Sequence, residues 1–239
     1  MSFIQAPSPN FDARVRPPDM IVLHYTGMPT GESALAKMCD ADAKVSAHYM
    51  VEEDGRIFSL VPEERRAWHA GKSFWKGETD INAVSIGIEI VNPGHEFGYR
   101  AFPDPQVEAL IDLIADVRSR WTIPDARILG HADVAPARKE DPGELFPWKQ
   151  LAEAGHGLWV ESGAAPGAAL AEGEEGLGVL ALQAGLTRLG YDCAPSGKFD
   201  PATTAIVRAF HRHWLQTRFD GVADGETRAR LVGLLRLAG

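Results

Sequence analysis

The chain has 239 residues, 45% of them hydrophobic and 24% charged, with a formal net charge of -9. Such a composition belongs to a soluble globular protein with material for one substantial domain and one small one. The acidic balance argues against a general binder of nucleic acid or anionic membrane, which would concentrate positive charge to displace counterions. With only Cys39 and Cys193, a disulfide framework is also excluded.

Met1 to Asn10 lack the basic and long apolar regions of a secretory signal, and no apolar run approaches the roughly 20 residues of a membrane span. A cytoplasmic protein is expected, or a periplasmic one if a signal was removed. Met20-Ile21-Val22-Leu23 then reads as a β-branched strand that delivers His24 where it ends. Cys39 lies in a helical stretch and is expected to pack as a small hydrophobe. Val84 to Val91 forms a second strand with one acid, Glu89, inside an apolar run.

Behind a Pro-Asp-Pro start, Gln106 to Trp121 places Val107, Leu110, Ile111, Ile114 and Val117 at helical spacing. A third strand, Arg127-Ile128-Leu129, leads to Gly130-His131, with Lys139 and Asp141 shortly after. Residues 161–175, ESGAAPGAALAEGEE, have no aromatic or basic residue and a linker composition. Beyond them only helices are expected: Leu177 to Leu189 closing at Gly190, Pro201 to Trp214 capped by Asp200, and Thr227 to Leu237. The expected fold is α/β, a central mixed β-sheet flanked by helices over residues 1–160, a linker at 161–175, and a small three-helix domain at 176–239. Three short helices make a small core, so help from the neighbouring domain is expected.

Several strands can bring polar residues to one point, and hydrolytic zinc wants three nitrogen or oxygen ligands with a fourth position for water. His24, His131 and Asp141 supply such a set. Glu89 remains as a base, because an unpaired buried acid is costly unless it serves a purpose. Lys139 is a cation for developing charge, or else a solvated lysine of the Arg138-Lys139-Glu140 cluster.

Together, Val22-Leu23-His24-Tyr25-Thr26, Ser46-Ala47-His48-Tyr49, Ala67-Trp68-His69-Ala70-Gly71, Ser85 to Asn92 and Gly130-His131 through Lys139, Asp141-Pro142-Gly143 to Phe146-Pro147-Trp148 resemble a known group. It is the type 2 N-acetylmuramoyl-L-alanine amidases, zinc enzymes related to peptidoglycan recognition proteins. The resemblance implies one zinc ion per chain on His24, His131 and Asp141, with Glu89 and Lys139 catalytic. It places neither His48 nor His69 on the metal; His48 reads as structural, His69 as a pocket-wall residue, and Asn92, just before a loop at the cleft rim, as a hydrogen-bonding contact for the peptide stem. Trp68, Trp75 and Trp148 are candidates for stacking on sugars, although tryptophan is as often a core residue.

Residues 176–239 resemble the three-helix peptidoglycan-binding module through Leu182-Gln183, Leu186, Leu189-Gly190-Tyr191, Gly197 to Asp200 and Asp220 to Asp224. His211 and Asp224 depart from it, standing where glutamine and glycine are usual. His156, His211 and His213 suggest no more than surface or helix positions. The activity implied is hydrolysis of the bond between the muramic lactyl group and L-alanine, in peptidoglycan or (anhydro)muropeptides, in cell-wall recycling. The alternatives are a non-catalytic recognition protein and an extracytoplasmic wall-lytic amidase. Peptidoglycan fragments or murein are the expected partners, without nucleic acid, and the oligomeric state is open.

Overall fold

The computed structural model describes residues 2–238. Its strands are β1 (Ile4–Gln5), β2 (Phe11–Ala13), β3 (Met20–Tyr25), β4 (Tyr49–Val51), β5 (Ile57–Ser59), β6 (Arg65–Ala67), β7 (Ser85–Ile90) and β8 (Ile128–Gly130). One six-stranded sheet runs in the order β1-β5-β4-β7-β3-β8, while β2 and β6 pair apart from it. The β3 strand lies between β7 and β8 and is parallel to both; β4 is parallel to β7 but antiparallel to β5. This is the expected mixed sheet.

Strand β3 is apolar without alternation because both of its faces are covered. Ile21 and Leu23 join a core with Val107, Leu110, Leu113, Ile114 and Val117, whereas Met20 and Val22 join a different cluster. The helices are α1 (Gly31–Cys39), α2 (Ile81–Val84), α3 (Gly94–Phe97), α4 (Asp104–Arg120), α5 (His131–Val134), α6 (Trp148–Glu153), α7 (Leu177–Leu189), α8 (Pro201–Trp214) and α9 (Gly225–Leu237). Helix α4 begins at Asp104, ahead of the expected Gln106, because an acid and a proline both suit a first turn. Its apolar stripe supplies the first core, each buried side chain contributing about 1.5–3 kcal/mol.

The cluster that holds Met20 and Val22 also contains Val179, Leu182, Leu186, Tyr191, Phe210 and Trp214 from the C-terminal helices. The two units therefore share one hydrophobic core, which answers the shortage of apolar material in three short helices. Trp75, 1% exposed, packs edge-on against Tyr191 with ring centroids 5.0 Å apart, inside this shared core. Within 161–175 the chain has little regular structure, yet its backbone is bonded to the helical unit. Ala165 N–H donates to Gly225 O (2.8 Å), Gly173 N–H donates to Phe199 O (2.9 Å), and Arg228 donates to the carbonyls of Pro166, Gly167 and Ala168.

The departures of the helical unit are local. Asp224 caps α9 by accepting from Thr227 N–H, which a glycine could not do. His211 is not a surface residue: it is fully buried, with Nε2 3.0 Å from Thr227 Oγ1. Among the described residues, no helix is long and apolar enough to cross a membrane.

Candidate metal centre and active site

His24 and Glu89 are the penultimate residues of β3 and β7 and face each other in register, while His131 directly follows β8. All three stand at the carboxyl ends of parallel strands, where open α/β sheets place their sites. Asp141 returns to this point by the turn after α5, and its carbonyl accepts from Ala132 N–H (2.9 Å). Gly130 permits that return. A Cβ there would lie 2.7 Å from Pro142 Cδ and 3.2 Å from Trp148 Cζ2, so any larger residue would push the two ligand-bearing segments apart.

His24 Nδ1 lies 2.9 Å from His131 Nδ1 and 3.1 Å from Asp141 Oδ2, and His131 Nδ1 lies 3.0 Å from the same oxygen. The opposite ring nitrogens explain why these atoms present lone pairs. Ser85 Oγ is 2.6 Å from Ile81 O, a carbonyl that can only accept, so the hydroxyl proton is spent there. Ser85 Oγ must then accept from His69 Nε2–H (3.1 Å), leaving His69 Nδ1 to accept from His24 Nε2–H (3.0 Å). His131 Nε2–H likewise donates to Ala70 O (3.0 Å). Both Nδ1 atoms and a carboxylate oxygen thus converge with no hydrogen fixed between them.

Such a cluster suits a cation. Ligands held about 2.0–2.1 Å from a tetrahedral ion are about 3.3 Å apart, close to the spacing found here. All three residues are buried and their ligand atoms lie within 4.8 Å of one another. Burial, reinforced by His131, lowers the His24 imidazole to about 4, so it is neutral and available as a ligand at pH 7. Burial would raise the Asp141 carboxyl, but the two imidazoles, His131 foremost, hold it far below the ordinary carboxylate range.

Glu89 Oε2 is buried without a hydrogen-bond partner among the described residues. Burial, and then the Asp141 charge, raises its carboxyl to about 8, against the opposing charges of Lys139 and Lys37. A carboxyl poised near neutrality beside a metal-ligand cluster is suited to general acid and base work. Lys139, partly exposed in the turn between α5 and Asp141, is near enough for its charge to act on both Glu89 and His24. Glu89 also borders a recess of about 70 Å³ lined by Thr26, Met28, Ala34, Lys37, Met38 and Val45.

His69 and Asn92, the expected substrate contacts, are both buried. His69 is 7% exposed and sits behind His24 with both nitrogens engaged; a Cβ on Gly87 would strike its ring, so Gly87 makes the room it occupies. Asn92 is 1% exposed; its Nδ2 donates to Arg100 O (2.7 Å) and its Oδ1 accepts from Gly94 N–H (3.1 Å). Trp75 and Trp148 are core residues, 1% and 2% exposed, whereas Trp68 is half-buried and donates to Asp12. His48 is structural: Nδ1 accepts from Gly87 N–H (2.9 Å) and Nε2–H donates to Arg65 O (3.1 Å). Ser85, Asp133, Tyr191 and His213 are additions. The serine at the start of the Glu89 strand was the one signal available for them.

Comparison with known proteins agrees with this geometry. Residues 14–144 match the Amidase_2 family, described as N-acetylmuramoyl-L-alanine amidase, and residues 175–231 match PG_binding_1, a peptidoglycan binding domain. The chain is 37% identical over 240 residues to the N-acetylmuramoyl-L-alanine amidase AmiD of Escherichia coli, covering 92% of this chain and 83% of that protein. It is 34% identical over 173 residues to the 1,6-anhydro-N-acetylmuramyl-L-alanine amidase AmpD of Escherichia coli, which spans 62% of this chain and is itself covered to 88%. The solved AmiD structure, a complex with the substrate anhydro-N-acetylmuramic acid-L-Ala-D-gamma-Glu-L-Lys, superposes with a TM-score of 0.80 at 36% identity, covering 95% of this chain and 93% of that one. AmpDh3 from Pseudomonas aeruginosa, in complex with anhydromuramic pentapeptide, gives 0.76 at 28% identity, with 92% of each chain covered. With its ligand cluster, its sheet and its sequence in agreement, the chain belongs to the N-acetylmuramoyl-L-alanine amidase family.

Proposed function

We propose that the protein is a zinc-dependent amidase that hydrolyses the bond between the muramic lactyl group and L-alanine of peptidoglycan or (anhydro)muropeptides, serving wall recycling. The observation that carries this reading is the convergence of His24 Nδ1, His131 Nδ1 and Asp141 Oδ2, with the unpartnered Glu89 carboxyl across the strand pair. His24, His131 and Asp141 would hold one zinc ion per chain, which supplies a Lewis acid that acidifies water and polarises the scissile carbonyl. Glu89 takes the proton of the attacking water and returns it to the departing alanine amine. Lys139 sets its positive charge against the oxyanion that develops on the carbonyl, a contact worth about 3 kcal/mol by comparison with other oxyanion donors. The relay through His69 and Ser85 keeps the His24 proton on Nε2, away from the metal.

The test is product analysis by mass on purified anhydro-muropeptide, with and without a chelator. Chelator-sensitive release of the stem peptide, restored by zinc, is the expected result; intact substrate after metal reconstitution refutes the enzyme reading. A second reading, a wall-lytic amidase acting on polymer, draws on the match of residues 175–231 to a peptidoglycan binding domain. Intact sacculi assayed beside the soluble fragment decide between the two. Fractionation of cells producing the natural chain tests the cytoplasmic expectation separately.

A further inference from the structure

The inner face of the C-terminal helices does something that binding a wall polymer does not require. Asp133 lies on α5, two residues past His131, and is 1% exposed. Oδ2 of its carboxylate accepts from Gly130 N–H (2.8 Å) in its own unit. Its other two donors come from the helical unit: Tyr191 O–H to Oδ1 (2.8 Å) and His213 Nδ1–H to Oδ2 (2.7 Å). A buried carboxylate is tolerable only when donors surround it, so two thirds of this solvation is supplied from outside the amidase unit. The His213 ring is fixed between Trp148 (centroids 3.6 Å apart) and Trp214 (3.8 Å).

The segment carrying the carboxylate ligand is held from the same side. Just past α8, the Gln216 Nε2 group donates to the carbonyls of Glu144 (2.8 Å) and Phe146 (2.6 Å), and Arg212 donates to Glu140 (3.0 Å). Gly130, whose N–H is bound by Asp133, leaves no room for a Cβ between itself and Pro142 and Trp148. The two segments that bear His131 and Asp141 are therefore clasped by one helix and its end.

We propose that the C-terminal helices brace the metal centre, with Tyr191 and His213 positioning His131 through Asp133, and Gln216 positioning Asp141 through the Glu144–Phe146 backbone. This rests on the zinc reading of the ligand cluster. AmpD of Escherichia coli spans only 62% of this chain, so the brace is a dependence of this two-unit architecture rather than a need of the chemistry.

The experiment uses the full chain with Tyr191→Phe, His213→Leu, His213→Asn and Gln216→Ala, and with Arg188→Ala on the exposed side of α7 as the control. Zinc affinity is read by competition with a chromophoric chelator, ligand geometry by the visible spectrum of the cobalt-substituted protein, and turnover as kcat and KM on anhydro-muropeptide. Weakening of zinc binding by about 10–100-fold is expected for Tyr191→Phe, His213→Leu and Gln216→Ala, the range usual for groups that orient metal ligands. An altered cobalt spectrum and a fall in kcat with little change in KM accompany it. His213→Asn, which keeps a donor near the Nδ1 position, recovers most of the loss, and Arg188→Ala matches wild type. Tyr191→Phe and Gln216→Ala create no cavity in the core, so they carry the test even if His213→Leu does not fold. Wild-type zinc affinity and cobalt spectrum in those two variants overturn the brace, whatever their melting temperatures. Failure of the wild type itself to bind zinc overturns the zinc reading instead.

Discussion

Replacing Ser85 with alanine should weaken zinc binding although Ser85 touches no ligand atom of the cluster. In the wild type the Ile81 carbonyl fixes the Ser85 proton, Ser85 fixes His69 with hydrogen on Nε2, and His69 fixes His24 with hydrogen on Nε2. Without the hydroxyl, the buried His69 Nε2–H loses its acceptor, at a cost of about 1–3 kcal/mol. His69 can escape that cost by moving its hydrogen to Nδ1, but this sets N–H against N–H at the His24 contact. His24 then has to shift its own hydrogen to Nδ1, the atom that faces the metal, or rotate away. Either course lowers metal affinity, and the expected loss is about 10–100-fold, or roughly 1.4–2.7 kcal/mol.

The assay is chelator competition at pH 7.5, with denaturant unfolding of the zinc-free variant alongside. Zinc-free unfolding should change by less than zinc binding does, because in the metal-free cluster His24 can exchange tautomers without losing a ligand. Zinc affinity within twofold of wild type, in a variant that folds, refutes the directional relay.

Glu89→Gln should retain zinc and lose about 10²–10⁴-fold in kcat, the usual range for a general acid or base, as measured by peptide release under saturating substrate. Lys139→Ala should lower kcat by about 10²–10³-fold without loss of zinc, and an unchanged kcat would return Lys139 to the solvated surface. His48 makes a pH prediction. Burial and then the Arg14 charge lower its imidazole from 6.5 to about 4. The folded state thus binds that proton less readily than the unfolded chain, so the stabilisation is complete above pH 6.5 and is lost as pH falls toward 4. The loss amounts to about 2 kcal/mol at pH 5 and about 3 kcal/mol at pH 4. The stability gap between wild type and His48→Gln, from denaturant unfolding at a series of pH values, should narrow by those amounts, and a gap independent of pH counts against a neutral His48.

The elements that bear chemistry were legible because each is announced by its immediate neighbours. His24 ends a β-branched run, Glu89 interrupts an apolar one, and Gly130-His131 marks the end of a third strand, so strand geometry alone brings them to one edge. What orients those residues is written at long range. His69 reaches His24 across 45 positions, and Tyr191 and His213 reach Asp133 across 58 and 80, with no period or spacing to connect them. Tryptophan was ambiguous for a different reason, since the same side chain serves sugar stacking and core packing; the position of Trp75 at the junction of two units decides for the core. The composition of 161–175 marks an irregular connecting segment, but small and acidic residues do not tell which carbonyls Arg228 will find. The candidate ligands therefore follow from local pattern in this chain, whereas their proton placement and rigidity follow from contacts that only the folded core creates. That division predicts where substitutions will surprise: at Ser85, Tyr191 and Gln216, residues with no chemistry of their own whose removal acts on a candidate metal ligand through an intermediate group.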